Sequence, residues 1–302
     1  MLLLLVMLAV LMLLLAAATL LLALIILSPP RMTDGKALYL LQRLTPADLN
    51  MQFEPIKFTV RDQRSGKPLD IAAWWIPHKN SSDKTVIFIH GYADAKVGSI
   101  AWAPTWQNLG YHILAIDLRA HGESAGRFTS AGFFERHDLD QIINQLRASH
   151  PQQTHRVLLF GISLGAAVAL AGAQLRDDIS ALVLECPFTN FRTATRQRLK
   201  MLNMPVQMLL APAMFAARFL SGADFDSLQN LEMIVSAKCP VFVVQSSDDP
   251  FVPPDDAQAI QSATNGRHDG SDFWRVEASH LLALAADPEE YQRRLVIFLR
   301  NC

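Results

Sequence analysis

The stretch "RVLLFGISLGAAVALAGAQL", residues 156–175, limits the possible folds of this chain more than any other. An apolar run ends at Phe160, two glycines bracket Ser163 at alternate positions, and a small-residue run opens at Leu164. Glycine weakens a strand interior and is used where backbones approach closely. Gly161 and Gly165 therefore predict a sharp strand-to-helix turn in which a β-carbon at either position would clash. Such a turn lifts Ser163 above the carboxyl ends of a parallel sheet, where sites in open α/β folds form. A glycine-rich turn without chemical function is the alternative, and the rest of the chain has to decide between them.

That rest reads as strands alternating with helices. Two β-rich runs, "IKFTVR" (56–61) and "LDIAAWWIP" (69–77), are joined by "DQRSGKP" and predict an antiparallel hairpin. Continuous apolar runs follow at 85–90, 112–118, 156–161, 181–186, 241–246 and 273–278, as expected of strands buried on both faces. Helical patterns lie between most of them, for example 133–150, and a last one opens at Asp287–Pro288. The pattern predicts an α/β domain over residues 55–302 with an eight-stranded, mostly parallel sheet and helices on both faces. Between Cys186 and Val241 the alternation stops. The interval is helical in pattern and rich in methionine (Met201, Met204, Met208, Met214, Met233), and predicts a helical cap insertion over about 188–236. Within it Arg192, Arg196 and Lys200 fall four residues apart on one helix stripe, with Arg198 off it; a solvated face and a contact with anionic headgroups both fit that stripe.

Residues 1–27 carry no charged side chain. As a helix they would be ~40 Å long, enough to cross a hydrocarbon core of ~30 Å with tilt. "AAAT" at 16–19 resembles a signal cleavage site, but no basic residue precedes the apolar run and cleavage there would expose "TLLLALIIL". The expectation is an uncleaved single-pass transmembrane anchor over 1–27, then a linker or short helix over 28–54. Arg31, Lys36 and Arg43 follow the span, which by the positive-inside rule places the C-terminal side in the cytoplasm.

A formal net charge of −1 offers no basic footprint for nucleic acid. Three widely spaced cysteines, Cys186, Cys239 and Cys302, suit free thiols rather than a disulfide framework. Nine histidines without HExxH or paired CxxC spacing indicate no metal site.

A serine hydroxyl is a poor nucleophile until a base takes its proton and an acid orients that base. Later strand ends supply both. His280 lies in "VEASHLL" after the last strand, and Asp248 and Asp249 lie in "VFVVQSSDDPFVPP" after the one before it. Serine, then aspartate, then histidine is the chain order of this turn type. Periodicity does not separate the two aspartates; Pro250 biases Asp249 toward an extended conformation. An oxyanion needs donors. The backbone N–H groups of Tyr92, in "IHGYAD", and Leu164 fill that place, with His90 shaping the loop rather than reacting.

From about residue 56 to 300 the sequence resembles the α/β-hydrolase superfamily, and within it the BEM46-like or serine aminopeptidase-like, membrane-anchored hydrolases. The resemblance rests on "WWIP" (74–77), "IHGYAD" (89–94), "DLRAHGES" (117–124), "GISLGA" (161–166), "DPFVPP" (249–254) and "ASHLL" (278–282). It implies the α/β-hydrolase fold and, through the pattern carried by Asp249, Val252 and Pro253, Asp249 as the acid. It also makes Asp117, Arg119 and His121 scaffolding. Ser246 and Ser279 stand where the family usually has glycine. The expected function is a membrane-anchored serine hydrolase that cleaves an acyl ester or thioester, possibly lipid-derived, through Ser163, His280 and Asp249. It needs no cofactor and no metal, and acts on a small-molecule acyl substrate; the sequence leaves the oligomeric state open, with a monomer favoured. A peptidase or amidase of the same fold is the alternative, and a non-catalytic scaffold the remaining one.

Overall fold

A computed structural model of the chain describes every residue except Leu202, residues 204–206 and residues 301–302. Met204 and Cys302 therefore lie outside the described residues. The eight expected strands form one sheet in the order β1-β2-β4-β3-β5-β6-β7-β8. β1 (Glu54–Arg61) and β2 (Pro68–Ile76) make the antiparallel hairpin, and β2 also runs antiparallel to β4 (His112–Ile116). β3 (Lys84–Ile89), β5 (Arg156–Ile162), β6 (Ile179–Glu185), β7 (Val241–Asp248) and β8 (Asp272–Ser279) complete a parallel block with β4. Edge strand β1 alternates exposed and buried residues, whereas every residue of β4 is buried. That contrast is the difference between a strand with one face in water and one covered on both.

Period-two alternation sends neighbouring side chains to opposite cores. Ile87 and Ile89 join one cluster, with α5 (Glu135–Ser149), α6 (Leu164–Ala173), α10 (Pro254–Asn265) and the last turns of α1 (Leu2–Leu27). Val86 and Phe88 join the other, with α2 (Asp34–Leu41), α3 (Lys96–Ser99), α4 (Ala103–Asn108), α11 (Ala283–Ala286) and α12 (Pro288–Arg300). The interval after β6 is helical as expected: α7 (Phe191–Met201), α8 (Leu210–Ser221) and α9 (Asn230–Ser236).

The stretch 28–54 does more than link. It carries α2, buries Ala37, and its Arg31 donates to the carbonyls of His121, Gly122, Ser124 and Gly126 at 2.7–3.1 Å. The Thr129 N–H reaches the Leu27 carbonyl at 2.9 Å. α1 is a single 26-residue helix, long and apolar enough to cross a membrane, yet its last turns bury Leu22, Ala23, Ile26 and Leu27 against the domain.

Candidate active site

Ser163 sits where β5 passes into α6, with φ 52° and ψ −108°. Such a backbone costs about 1–3 kcal/mol for a residue with a side chain and persists only where neighbours enforce it. Here the Ser163 N–H donates to the Glu185 carbonyl at 2.8 Å, and the Ser163 carbonyl accepts from Ala166 at 3.0 Å. The flanking glycines are required by close approach. A β-carbon on Gly161 would lie 2.4 Å from the Gly165 carbonyl oxygen; one on Gly165 would lie 1.9 Å from the carbonyl oxygen of Ile89, at the end of the adjacent strand β3.

The end of β7 and the loop after β8 bring the next two groups together. Nδ1 of His280 lies 2.7 Å from Oδ2 of Asp249. With Nδ1 protonated, that contact leaves Nε2 free to act as a base. The Asp249 side chain is 1% exposed and also accepts from the Phe251 N–H at 2.9 Å and from Gln245 at 3.3 Å. Asp248 instead ends β7 opposite Ser279 and is exposed. The Phe251 ring stands edge-on to the imidazole, centroids 4.7 Å apart. Ser246 places its hydroxyl 3.4 Å from the Cys186 thiol, a contact glycine would not make.

His90 is a strut. It is fully buried, its Nδ1 lies 2.7 Å from the Gly91 carbonyl, and its Nε2 accepts from the Leu118 N–H at 3.0 Å. Burial pushes its pKa well below that of a free histidine, which keeps it neutral and fixes Nδ1 as the donor. A β-carbon on Gly91 would come 3.5 Å from the Ser163 β-carbon, so the loop lies directly against the elbow. Tyr92 and Leu164 line the same cavity as Ser163 and His280. Leu164 opens α6, so its N–H belongs to the donors a helix leaves unpaired at its start. Beneath the loop, Asp117 accepts from the backbone N–H groups of Lys96 and Glu123 at 2.6 and 2.9 Å, and Arg119 makes two bonds to Asp138. Glu185 lies fully buried under the turn. Desolvation raises its pKa to about 7, partly offset by the Trp102 indole N–H donating at 3.1 Å.

Cys186, Asp249 and His280 place possible metal-donor atoms within 4.8 Å of one another. Burial raises the Cys186 thiol far above its usual range, whereas a metal ligand must be a thiolate. Nδ1 of His280 already faces a carboxylate, so the cluster suits a proton relay better than an ion.

The opposite wall was not anticipated from the sequence. Ile25 and Ile26 of α1 line the cavity, and the Tyr92 hydroxyl donates to the Ile25 carbonyl at 2.8 Å. Phe191, Ala194, Thr195, Arg198 and Leu199 supply the cap side. Their spacing is one face of a helix, a signal present in the sequence but overlooked for the basic stripe beside it. Arg198, off that stripe, is the residue at the cavity, 4.5 Å over the Tyr92 ring. Arg192 pairs with Asp226 at 2.9 Å, while Arg196 and Lys200 are exposed. None of the described methionines lines the cavity: Met214 and Met233 are core residues, because the periodicity of α8 and α9 turns them inward.

Residues 80–233 match the family model described as serine aminopeptidase, S33. The chain is 27% identical over 260 residues to the uncharacterized protein YqkD of Bacillus subtilis, covering 84% of this chain and 83% of that one. It is 26% identical over 198 residues to the lysophosphatidylserine lipase ABHD12 of Macaca fascicularis, covering 60% of this chain and 45% of the lipase. This chain thus spans about half the length of the ABHD12 lipases it matches. Among solved structures, the Pyrococcus furiosus esterase Pf2001 aligns with TM-score 0.72 and 26% identity, over 90% of this chain and 98% of the esterase.

Proposed function

From a chain that belongs to the serine aminopeptidase S33 family of α/β hydrolases, and is a serine hydrolase, we propose a membrane-anchored enzyme that cleaves acyl esters or thioesters of lipid origin. In this reading Ser163 Oγ attacks the acyl carbonyl and His280 Nε2 takes its proton. Asp249 holds the Nδ1–H and balances the imidazolium charge. The N–H groups of Tyr92 and Leu164 donate to the oxyanion. Collapse of the tetrahedral intermediate returns the His280 proton to the leaving oxygen or sulfur. Water, deprotonated by the same imidazole, then releases the acid from the acyl-enzyme.

The observation that supports a lipid-derived substrate is the wall built by Ile25 and Ile26, which belong to the candidate membrane helix itself. With Phe188, Phe191 and Leu199 they offer an acyl chain an apolar surface next to Ser163. The domain would lie on the cytoplasmic side, from the basic residues Arg31, Lys36 and Arg43 that follow the span.

One feature favours a peptidase as the second reading. Asp94 lines the cavity and its buried Oδ1 has no partner among the described residues, as a site for a substrate amine would require. Burial raises its pKa to about 6, which weakens that role at lower pH. Labelling by a fluorophosphonate probe, then turnover on p-nitrophenyl esters of increasing chain length against aminoacyl amides, tests the proposal. Esters of longer acyl chains should be the better substrates; preference for the amides would overturn the ester reading in favour of the peptidase.

A further inference from the structure

The cap carries a surface that catalysis does not use. Helix α8 turns Leu210, Ala213, Met214 and Ala217 inward and packs against α1. Its outer face shows Phe215 and Phe219, 75% and 83% exposed and one helical turn apart, with Met208 at 92% just before the helix. Burying such side chains is favourable, so a pair of aromatic rings left outside marks a contact rather than a scattered surface residue. The docked part of α1, against which α8 packs, also exposes Leu20 and Leu21.

The geometry of α1 indicates what covers this surface. The helix stands clear of the domain only from Leu2 to Ala17, and its burial begins beyond that. At 1.5 Å per residue the free part rises about 24 Å, short of a hydrocarbon core of about 30 Å. The missing ~6 Å must come from the turns against which the domain is packed, which draws the domain surface around the base of α1 below the headgroups. An interfacial helix buries its apolar face to a similar depth, ~5–10 Å. On helix α7, Arg196 and Lys200 are exposed cations.

We propose that α8 is a second membrane-contacting element, with Phe215 and Phe219 seated among the upper acyl carbons of the bilayer beside α1. The proposal rests on the reading of α1 as a membrane span. It places the Ile25–Ile26 wall of the cavity at the bilayer surface, so that an acyl chain passes from the leaflet to Ser163 without crossing water.

The test is depth measured on the full chain in phosphatidylcholine–phosphatidylglycerol vesicles. One cysteine replaces Leu11, Phe219 or Asp177 in a Cys302→Ser background and carries an environment-sensitive fluorophore; Cys186 and Cys239 are buried, and the signal of the Cys302→Ser chain treated alike is subtracted. Lipids with a nitroxide at acyl carbon 12 or carbon 5, and aqueous iodide, serve as quenchers. The label at 11 should respond most to carbon 12 and the label at 219 at least twofold more to carbon 5 than to iodide. The label at 177, on an exposed loop, should respond to iodide alone. If position 219 behaves like position 177 while position 11 is quenched from within the bilayer, the α8 proposal fails and the anchor stands. If position 11 also responds only to iodide, the anchor reading fails and takes this one with it. A Phe215→Glu/Phe219→Glu chain gives an independent check. Its kcat/KM on a vesicle-borne monoacylglycerol, relative to that on soluble p-nitrophenyl acetate, should fall fivefold or more; an unchanged ratio counts against the membrane contact.

Discussion

The two walls of the cavity are built on different principles. On the sheet side, Ser163, the Gly91–Tyr92 loop and the Asp249–His280 pair sit at the ends of β5, β3, β7 and β8, and backbone geometry fixes them. On the other side, α1 and α7 offer side chains from segments more than 160 residues apart, held by apolar packing and by the Tyr92 hydroxyl. In the proposed reaction the first wall holds the groups for bond cleavage, and the second faces the acyl group presented to them. Chemistry and selectivity in this molecule should therefore be separable by mutation, with large effects on one side and graded effects on the other.

The largest effect is expected at Ser163. Ser163→Ala should lower turnover by several orders of magnitude with an unchanged melting temperature, because the hydroxyl supports reaction and not the fold. Wild-type turnover in the purified variant would remove Ser163 as nucleophile. Next come the adjacent aspartates. Asp249→Asn should cost up to ~10⁴ in kcat by favouring the wrong imidazole tautomer, and Asp248→Asn much less. The reverse order of damage would contradict the 2.7 Å pairing of His280 with Asp249.

Gly165→Ala probes the rigidity of the same wall. Its new β-carbon would meet the backbone of Ile89, and backbone cannot swing aside as a side chain can. A loss of ~3 kcal/mol in urea unfolding is expected, together with reduced activity. Glu185 gives a pH signature. Its folded pKa of about 7 lies above the ordinary carboxyl value, so the native state keeps a proton that the unfolded chain releases. Its contribution to stability is complete below about pH 4.5 and is lost as pH rises through about 7, a change of roughly 3 kcal/mol. Glu185→Gln should flatten that slope between pH 5 and 8 in the same unfolding assay; an unaltered slope would assign it to other groups.

The smallest effect belongs to the second wall. Ile25 is partly exposed, so Ile25→Ala removes contact area without emptying a core. KM for a long-chain ester should rise about fivefold, the equivalent of ~1 kcal/mol of apolar contact, with kcat on acetate esters little changed. A fall in kcat on every ester would mean that the two walls are not separable.

Much of this was legible in the sequence where a local rule acts. Six strands announce themselves by continuous apolar runs, the hairpin by two β-rich runs around a turn, and the elbow by glycines at fixed offsets from Ser163. The scaffold reading of His90, Asp117 and Arg119 also agrees with their burial and hydrogen bonds. The cap is less legible. Methionine content marks the interval as an insertion, but a residue type says nothing about which side of a helix it occupies. The stripe of Arg192, Arg196 and Lys200 drew attention for its charge, whereas Arg198 reached the cavity because Phe191, Ala194 and Leu199 share its face.

By itself the sequence determined what depends on backbone and period: a long uncharged helix, a parallel sheet, a strained serine with no room for β-carbons beside it. Only the tertiary structure decided what depends on distant segments meeting. It brought Asp249 rather than Asp248 to His280, and turned Arg31 from a topological charge into a clamp on four carbonyls. It also set Ile25 and Ile26, at the end of an apolar run that reads by itself as an anchor, in the same cavity as Ser163. The physical reason is range. Steric and periodic constraints act over a few residues and leave a mark in local composition. The position of a side chain in a cavity is set by the packing of whole elements, which no short stretch of chain contains.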